Sequence, residues 1–352
     1  MTLTAQSSNV INTLKCFLCL GVVFVHGQMN LGSAYLFGDM RWREVTEYHN
    51  FRLFQTHFVS DFCDQVCVPV FFLLSGFLFF LKVPEVFKTK WFINKYKSRI
   101  RSLLIPYLIA NAFFIFVFIV YDVYRGNTEI NILNILKGFW ANENGYPADL
   151  PLWFLRDLLV VVFFTPLIYY GINKISFVLP LLFGVWFVSD PPHIPIISIS
   201  GRAFFFFSVG ACFAIKGIDF IEKLKSNWTI LVYWAVYFTV LAFYLQYNQE
   251  WILRLSVIPA CPALVATVKR LSNEKKPCPH GFAVCTFFIY LYHYYIVMII
   301  WRLLLILFGT SELAVFVSFF MGTIMTVFCL YFSYLLLYGF FPKIISFILG
   351  GR

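Results

Sequence analysis

Long apolar runs separated by short polar loops dominate this 352-residue chain. A helix needs about 20 apolar residues to cross a bilayer. Ten segments approach or exceed that length, at 9–30, 58–81, 102–122, 151–171, 175–189, 200–216, 228–247, 251–270, 281–308 and 313–340. The fifth is short for a full span, and the last two are long enough to tilt. The pattern predicts an all-α integral membrane protein with about ten transmembrane helices, in one membrane domain over residues 1–352 without a separate soluble domain.

The basic residues between these segments predict the orientation. The loop 82–101 carries seven Lys and Arg residues against one acid, Glu85, and alternate loops add further basic residues on the same side. The opposite loops hold only Arg41, Arg43, Arg52, Arg125, Lys137 and Arg202. Because cytoplasmic loops are enriched in Lys and Arg, the first side is predicted to be cytoplasmic, together with both termini. The net charge of +10 therefore indicates membrane topology rather than binding to nucleic acid.

The composition agrees with a lipid environment and gives no sign of a metal or disulfide framework. The chain is 61% hydrophobic and 12% charged, whereas soluble domains carry about 25% charged residues. Most of the nine Cys lie in apolar runs and are predicted to be small buried residues. Cys63 and Cys67 leave a disulfide as an alternative. No metal-ligand spacing and no Gly-rich phosphate loop is present.

Lys15 and His26 are ionisable residues inside the first predicted span, where such groups are costly and usually functional or paired. They are eleven residues apart, which returns to nearly the same helix face about 16 Å further along the axis. One interpretation is a conduit with His26 as a general base at its far end, since an ordinary imidazole pKa is about 6.5. The alternative is a lysine that snorkels to one interface and a histidine at the other.

Two further polar clusters lie near the ends of predicted spans. Asp61 and Asp64 enter the second span and either orient the His26 imidazole or occupy a helix start, where acids are favoured. Lys97, Arg99 and Arg101 precede the third span and either bind phosphate or only set topology. Lys97 and Arg101 are i,i+4 neighbours if that segment is α-helical.

Later spans contain isolated polar residues with open roles. Arg156 and Asp157 lie together in the fourth segment. Arg202 opens the sixth segment as either a membrane anchor or a ligand, and His293 is either a functional residue or a satisfied core histidine.

Taken in order, these motifs resemble the membrane-bound acyltransferase family 3, which includes O-acetyltransferases of the enterobacterial common antigen and of lipopolysaccharide O-antigens. The resemblance covers nearly the whole chain. It rests on Lys15 through His26, Pro69-Val-Phe-Phe-Leu-Leu-Ser-Gly76, Arg99-Ile-Arg101 before Pro106, Leu-Trp-Phe-Leu at 152–155, and Tyr290-Leu-Tyr-His293. One departure is Lys15, where the family often has Arg, because lysine lacks the bidentate guanidinium fork.

The resemblance implies a bacterial inner-membrane enzyme that moves an acetyl or other acyl group from acetyl-CoA or another acyl-CoA to a carbohydrate or lipid-linked glycan. It implies catalytic roles for His26 and Lys15, to which their position at the start of the second span adds Asp64 and Asp61 as candidates. It implies donor binding by Lys97, Arg99, Arg101 and Lys15. It implies acceptor binding by Trp153, Arg202, Tyr290 and His293. Direct transfer and an acylated histidine both stay open, and the alternative function is a transporter or flippase without chemistry.

Overall fold

A computed structural model describes residues 3–27, 48–126, 131–142, 145–189, 199–224, 227–272 and 280–351. These residues form helices and, within the described ranges, no strand. The helices are α1 Ala5–His26, α2 His49–Phe80, α3 Thr89–Tyr124, α4 Ile132–Gly138, α5 Trp153–Phe163, α6 Thr165–Ile175, α7 Val178–Ser189, α8 Gly201–Ile215, α9 Phe220–Lys223, α10 Asn227–Tyr247, α11 Glu250–Leu271, α12 His280–Phe308, α13 Glu312–Phe340 and α14 Pro342–Ile348.

Each of the ten predicted segments coincides with one apolar helix or helix pair. Seven helices are long and apolar enough to cross a bilayer, namely α1, α2, α3, α10, α11, α12 and α13. An eighth candidate is the pair of α5 and α6, which bends by 60° between them, and α7 and α8 are shorter apolar helices. The prediction of an all-α membrane protein is therefore confirmed. The orientation of the helices stays a prediction.

Two of the long helices contain π-helical turns, and in each case a proline follows within a few residues along the sequence. The wider turns occupy Gln55–Asp64 in α2 and Ile100–Leu104 in α3. A proline inside a helix lacks an N–H and its ring clashes with the carbonyl four residues earlier. For Pro69 that residue is Gln65, directly after the first π-helical segment. For Pro106 it is Ser102, inside the second.

Helices α2 and α8 approach each other closely through two glycines. A Cβ atom built on Gly76 would lie 2.0 Å from the Phe207 carbonyl oxygen, and one built on Gly210 would lie 1.9 Å from the Leu73 carbonyl oxygen. Small residues allow membrane helices to approach until their backbones touch. This contact fixes α2, which forms a wall of the candidate site.

The segment before α5 is held against the helices by hydrogen bonds. Tyr107 donates to the Phe139 carbonyl, and Tyr295 donates to that of Ala148. The Arg156 guanidinium donates to the carbonyls of Trp140 and Gly145, at 2.8 Å each, and to Asp157 at 3.3 Å. Arg156 and Asp157 are both buried. The charged pair at the start of α5 therefore anchors the loop that precedes this helix, through the hydrogen bonds of Arg156.

The cysteines in the described part of the chain are free thiols. Six of them are buried, at positions 19, 63, 67, 212, 261 and 285, as expected for small apolar residues. The disulfide alternative between Cys63 and Cys67 is not formed. Instead, the Cys67 Sγ atom packs where a Cβ of Gly21 would lie, so it takes part in the contact of α1 with α2.

Candidate active site

The predicted cytoplasmic half of α1 faces a cavity of about 650 Å³ that α1, α2, α3, α5, α8 and α12 enclose. Most of its wall is apolar. Its polar side chains come from Asn12, Lys15, Ser75, Arg99, Thr286 and Tyr290. The Lys15 ammonium donates to Asn12 at 3.3 Å. Ser75 faces this cavity, while its neighbour Gly76 makes the contact with α8 described above.

The other end of α1 faces a much smaller cavity of about 20 Å³, which contains His26. This is room for about one water molecule. Asp64 and Trp153, both predicted site residues, also line it. The rest of the wall is apolar or aromatic, from Val22, Val25, Val68, Phe71, Pro151, Phe154 and Tyr290.

Three aromatic residues separate the two cavities. Phe71, Phe154 and Tyr290 line both of them, and we call these three the aromatic partition. The Phe154 ring centroid is 5.7 Å from that of Phe71 and 6.1 Å from that of Tyr290, and the Tyr290 hydroxyl donates to the Pro151 carbonyl at 2.6 Å. Lys15 and His26 therefore lie on adjoining spaces with a narrow aromatic junction between them.

A second histidine lies against His26. The ring centroids of His26 and His293 are 5.2 Å apart, and Tyr294 packs edge-on against His26 at 5.1 Å. His293 Nδ1 is hydrogen-bonded to the carbonyls of Tyr290 at 2.8 Å and Ile289 at 3.1 Å. Carbonyls only accept, so we assign the proton to Nδ1 and a lone pair to Nε2. That buried Nε2 has no hydrogen-bond partner within the described residues.

The two predicted acids have different partners. Asp64 lines the small cavity and accepts a hydrogen bond from Gln65 at 3.4 Å, while Arg202 donates to the Gln65 side-chain oxygen at 2.9 Å. Asp61 instead pairs with His57, four residues earlier in the same π-helical stretch, at 2.9 Å. His57 and Gln65 did not feature in the sequence prediction, although the spacing of His57 and Asp61 is a signal for their pairing.

The basic residues of α3 are also divided. Arg99 lines the large cavity, with its guanidinium carbon 5.6 Å from the centre of the Phe79 ring. Lys97 and Arg101 are exposed and do not line that cavity. The predicted i,i+4 pairing of Lys97 with Arg101 assumed an α-helix, whereas the turns from Ile100 to Leu104 are π-helical.

Asp149 is a buried acid outside the predicted spans. Its side chain is 0% exposed, and neither carboxyl oxygen has a hydrogen-bond partner in the part of the chain that the structure describes. Burial raises the pKa of the Asp149 carboxyl well above its usual value. The carboxyl group is therefore expected to be protonated in the folded protein at a pH where an exposed aspartate is ionised.

The fold and the divided cavity thus define a multi-helix membrane protein with a histidine-containing site between its helices. A family described as an acyltransferase domain matches residues 9–338. The chain belongs to this family, acyltransferase family 3, and the resemblance stated from the motifs is confirmed.

A curated relative is similar over part of the chain. It is the succinoglycan biosynthesis protein ExoH of Rhizobium meliloti, which is 26% identical over 227 residues. That match covers 61% of this chain and 56% of the relative, so this chain matches little more than half of the relative's length. No solved structure matches the chain.

Proposed function

We propose that this protein transfers an acetyl or other short acyl group from acyl-CoA to a hydroxyl group of a cell-envelope carbohydrate, with His26 as the general base. The observation that carries the proposal is the arrangement along α1. Lys15 faces a large cavity, His26 faces a small one, and the two spaces adjoin at the aromatic partition.

The large cavity suits the donor. Its volume of about 650 Å³ falls within the usual range of ligand sites. Lys15 and Arg99 supply positive charge for the phosphates of coenzyme A, and the apolar wall suits the flexible pantetheine arm. In the predicted orientation, this cavity lies towards the cytoplasm, where acyl-CoA is made.

The small cavity suits the reacting groups. His26 takes the proton of the acceptor hydroxyl while the hydroxyl oxygen attacks the thioester carbonyl carbon. The carbon–sulfur bond then breaks, and the leaving thiolate takes the proton from the imidazolium to give free coenzyme A. Space for about one water molecule favours an acetyl group over a longer chain. An acylated His26 is the alternative route, in which the imidazole itself attacks the thioester.

The residues around His26 include side chains that could bind the acceptor. Trp153 and Tyr290 line the small cavity, and His293 lies beside His26. Arg202 reaches the same region through Gln65. The relative's name connects it with the biosynthesis of succinoglycan, a polysaccharide, which supports a carbohydrate or lipid-linked glycan as acceptor. The location that we propose with it is a bacterial inner membrane.

The test is acyl transfer by the purified protein in lipid nanodiscs. Acetyl-CoA labelled in the acetyl group is supplied with an envelope glycan fraction, and the readouts are free coenzyme A and alkali-labile label on the glycan. We expect His26→Ala to lower the rate by about 10²–10⁴-fold, the usual contribution of a general base. Phe17→Ala is the matched control, because Phe17 is on the same helix but is 46% exposed and lines neither cavity.

Two outcomes would contradict the proposal at different levels. Transfer by His26→Ala at the rate of the unmodified protein would remove His26 as the base. A folded protein that binds no acyl-CoA would overturn the enzymatic function and favour the transporter or flippase, which needs no acyl donor.

A further inference from the structure

The segment after α13 places two glycines against the basic turns of α3. Helix α14 is anchored by Ile345 and Leu349, which are 5% and 0% exposed and belong to a buried apolar cluster. Gly350 and Gly351 follow directly, both with positive φ angles, +75° and +83°. The backbone at these two positions therefore has a fixed location beside Arg101 and Ser102.

The positive φ of Gly350 is explained by its position directly after the end of α14. Its N–H bonds to the Phe347 carbonyl at 3.0 Å, and the Gly351 N–H bonds to the Ser346 carbonyl at 2.7 Å. This pair of bonds is the Schellman motif, in which the residue after the helix adopts a left-handed conformation and is usually glycine. The motif requires a positive φ at Gly350 and leaves the second glycine unexplained.

Gly351 is explained by Arg101. A Cβ atom at Gly351 would lie 3.1 Å from Nε, 3.2 Å from Cζ and 3.2 Å from Nη2 of the Arg101 guanidinium. Nearly equal distances to three bonded atoms mean that the flat face of the guanidinium rests on the glycine. A Cβ atom at position 351 would require the guanidinium to shift by a few tenths of an ångström from this face-on contact.

Gly351 also lines the large cavity with Lys15 and Arg99. The N–H donors of a guanidinium lie in its own plane, so a contact through its face leaves its edge available. Within the described ranges no ion pair of Arg101 competes for these donors. Arg101 is therefore held at the rim of the cavity with an edge open to a bidentate phosphate contact.

We propose that Gly351 is a positioning residue of the donor site, which holds the Arg101 guanidinium flat at the cavity rim so that its edge binds a phosphate group of coenzyme A. This inference rests on the proposed function. It assigns to Arg101, which lies outside the cavity lining, a contact with the part of the donor that extends past the rim.

The test is the affinity for coenzyme A, measured by calorimetry with the purified protein in nanodiscs. Loss of a charge-assisted bidentate contact in Arg101→Ala should weaken binding about tenfold or more. Gly351→Ala should weaken it about three- to tenfold, because the guanidinium is displaced but still present. The double variant should bind as weakly as Arg101→Ala alone, because Gly351 acts through that side chain.

The matched control is Gly126→Ala. Gly126 has a φ of +87° with no atom within 4 Å of an added Cβ, so it carries the same backbone strain without touching a cationic side chain. We expect its affinity for coenzyme A to equal that of the unmodified protein. In turnover assays, Gly351→Ala should raise KM for acetyl-CoA and leave kcat unchanged, whereas a general loss of folded protein would lower kcat.

The outcomes separate the inference from the proposed function. An unchanged affinity in Arg101→Ala would remove Arg101 from the donor site and overturn the inference, but not the proposed function, whose donor cations are Lys15 and Arg99. A folded, unmodified protein that binds no coenzyme A would contradict both. A weakened Arg101→Ala together with a Gly351→Ala that binds like Gly126→Ala would overturn only the role of Gly351. Dephospho-coenzyme A identifies the phosphate: an Arg101 contact with the 3′-phosphate predicts that Arg101→Ala affects coenzyme A and not dephospho-coenzyme A, and equal effects on both indicate the diphosphate.

Discussion

The two cavities along α1 differ about thirtyfold in volume and in their polar groups. The large one, about 650 Å³, has cations from Lys15 and Arg99, whereas the small one, about 20 Å³, has His26 and Asp64 in a mostly apolar wall. The first suits binding of a large anionic ligand, and the second suits chemistry on a small group with water excluded. The proposed function thus assigns donor affinity and acyl transfer to different parts of one helix, with the aromatic partition between them.

The largest expected effect comes from a change in α2, the helix that contributes residues to the walls of both cavities. Gly76→Ala places a methyl group where the Phe207 carbonyl oxygen lies 2.0 Å away, and backbone cannot move aside like a side chain. We expect a loss of about 3 kcal/mol in folding stability and the loss of donor binding and transfer together, measured by thermal unfolding in detergent and by activity.

The control for this glycine is Gly339→Ala in α13. An added Cβ at Gly339 has no atom within 4 Å, so we expect stability and activity to stay near those of the unmodified protein. Equal stabilities for the two variants would show that the contact of α2 with α8 is looser than the structure indicates.

The next prediction compares the roles of the two cavities in donor binding and in catalysis. Lys15→Ala should weaken coenzyme A binding about tenfold, because it removes one charged donor from the large cavity. His26→Ala should keep that affinity within about twofold while it lowers kcat. If His26→Ala weakened binding as much as Lys15→Ala, the division between binding and chemistry would be wrong.

A smaller effect concerns the aromatic partition. Phe71→Leu should widen the junction and raise the kcat/KM for butyryl-CoA relative to acetyl-CoA about tenfold, since one methylene group in a pocket is worth about 1–3 kcal/mol. Phe328→Leu, at an exposed position in α13, should leave the ratio unchanged. A constant ratio in Phe71→Leu would remove the partition as the limit on acyl length.

The smallest expected effect is a pH-dependent change in folding stability, and it comes from Asp149. This residue is two positions before Pro151, which lines the small cavity. The pKa of its carboxyl is raised in the folded protein, so the unfolded chain loses that proton first as pH rises. Stability therefore falls as pH rises above the ordinary aspartate pKa of about 3.9. Asp149→Asn should raise the melting temperature at pH 7, with a difference that shrinks towards pH 4. The opposite trend would mean that the carboxyl is ionised and paired.

Much of the fold could be predicted from the sequence because apolar length alone identifies helices in lipid. All ten predicted segments coincide with helices, including the short segment 175–189, which corresponds to α7. Lys15 and His26 could be singled out as candidates for the same reason, since they are isolated ionisable groups in an apolar helix, and in the structure each lines one of the two cavities. Their position on one face led to the prediction of one continuous conduit, whereas the partition residues come from α2, α5 and α12 and depend on packing.

Other parts of the site depend on contacts that one chain segment cannot reveal. The approach of His293 to His26 joins α12 to α1 across more than 250 residues. Lys97 and Arg99 point to opposite sides of the α-helical stretch Thr89–Arg99. Which of the two enters the cavity is decided by how α3 packs against the other helices. The prediction that Asp61 orients His26 is untested, although in the structure Asp61 is bonded to His57.

The π-helical turns before Pro69 and Pro106 affect how α2 and α3 would respond to the loss of a residue. A π-helical turn contains one residue more than an α-helical turn at the same place. Deletion of one residue from such a turn would let it return to α-helical pitch, and the side chains on either side would keep nearly the same rotation about the helix axis, because the turn closes with one residue fewer. The same deletion in an α-helical stretch would rotate all side chains before it by about 100° relative to those after it. The π-helical turns of α2 and α3 are therefore the places where these helices could lose a residue and still present the same faces to their neighbours.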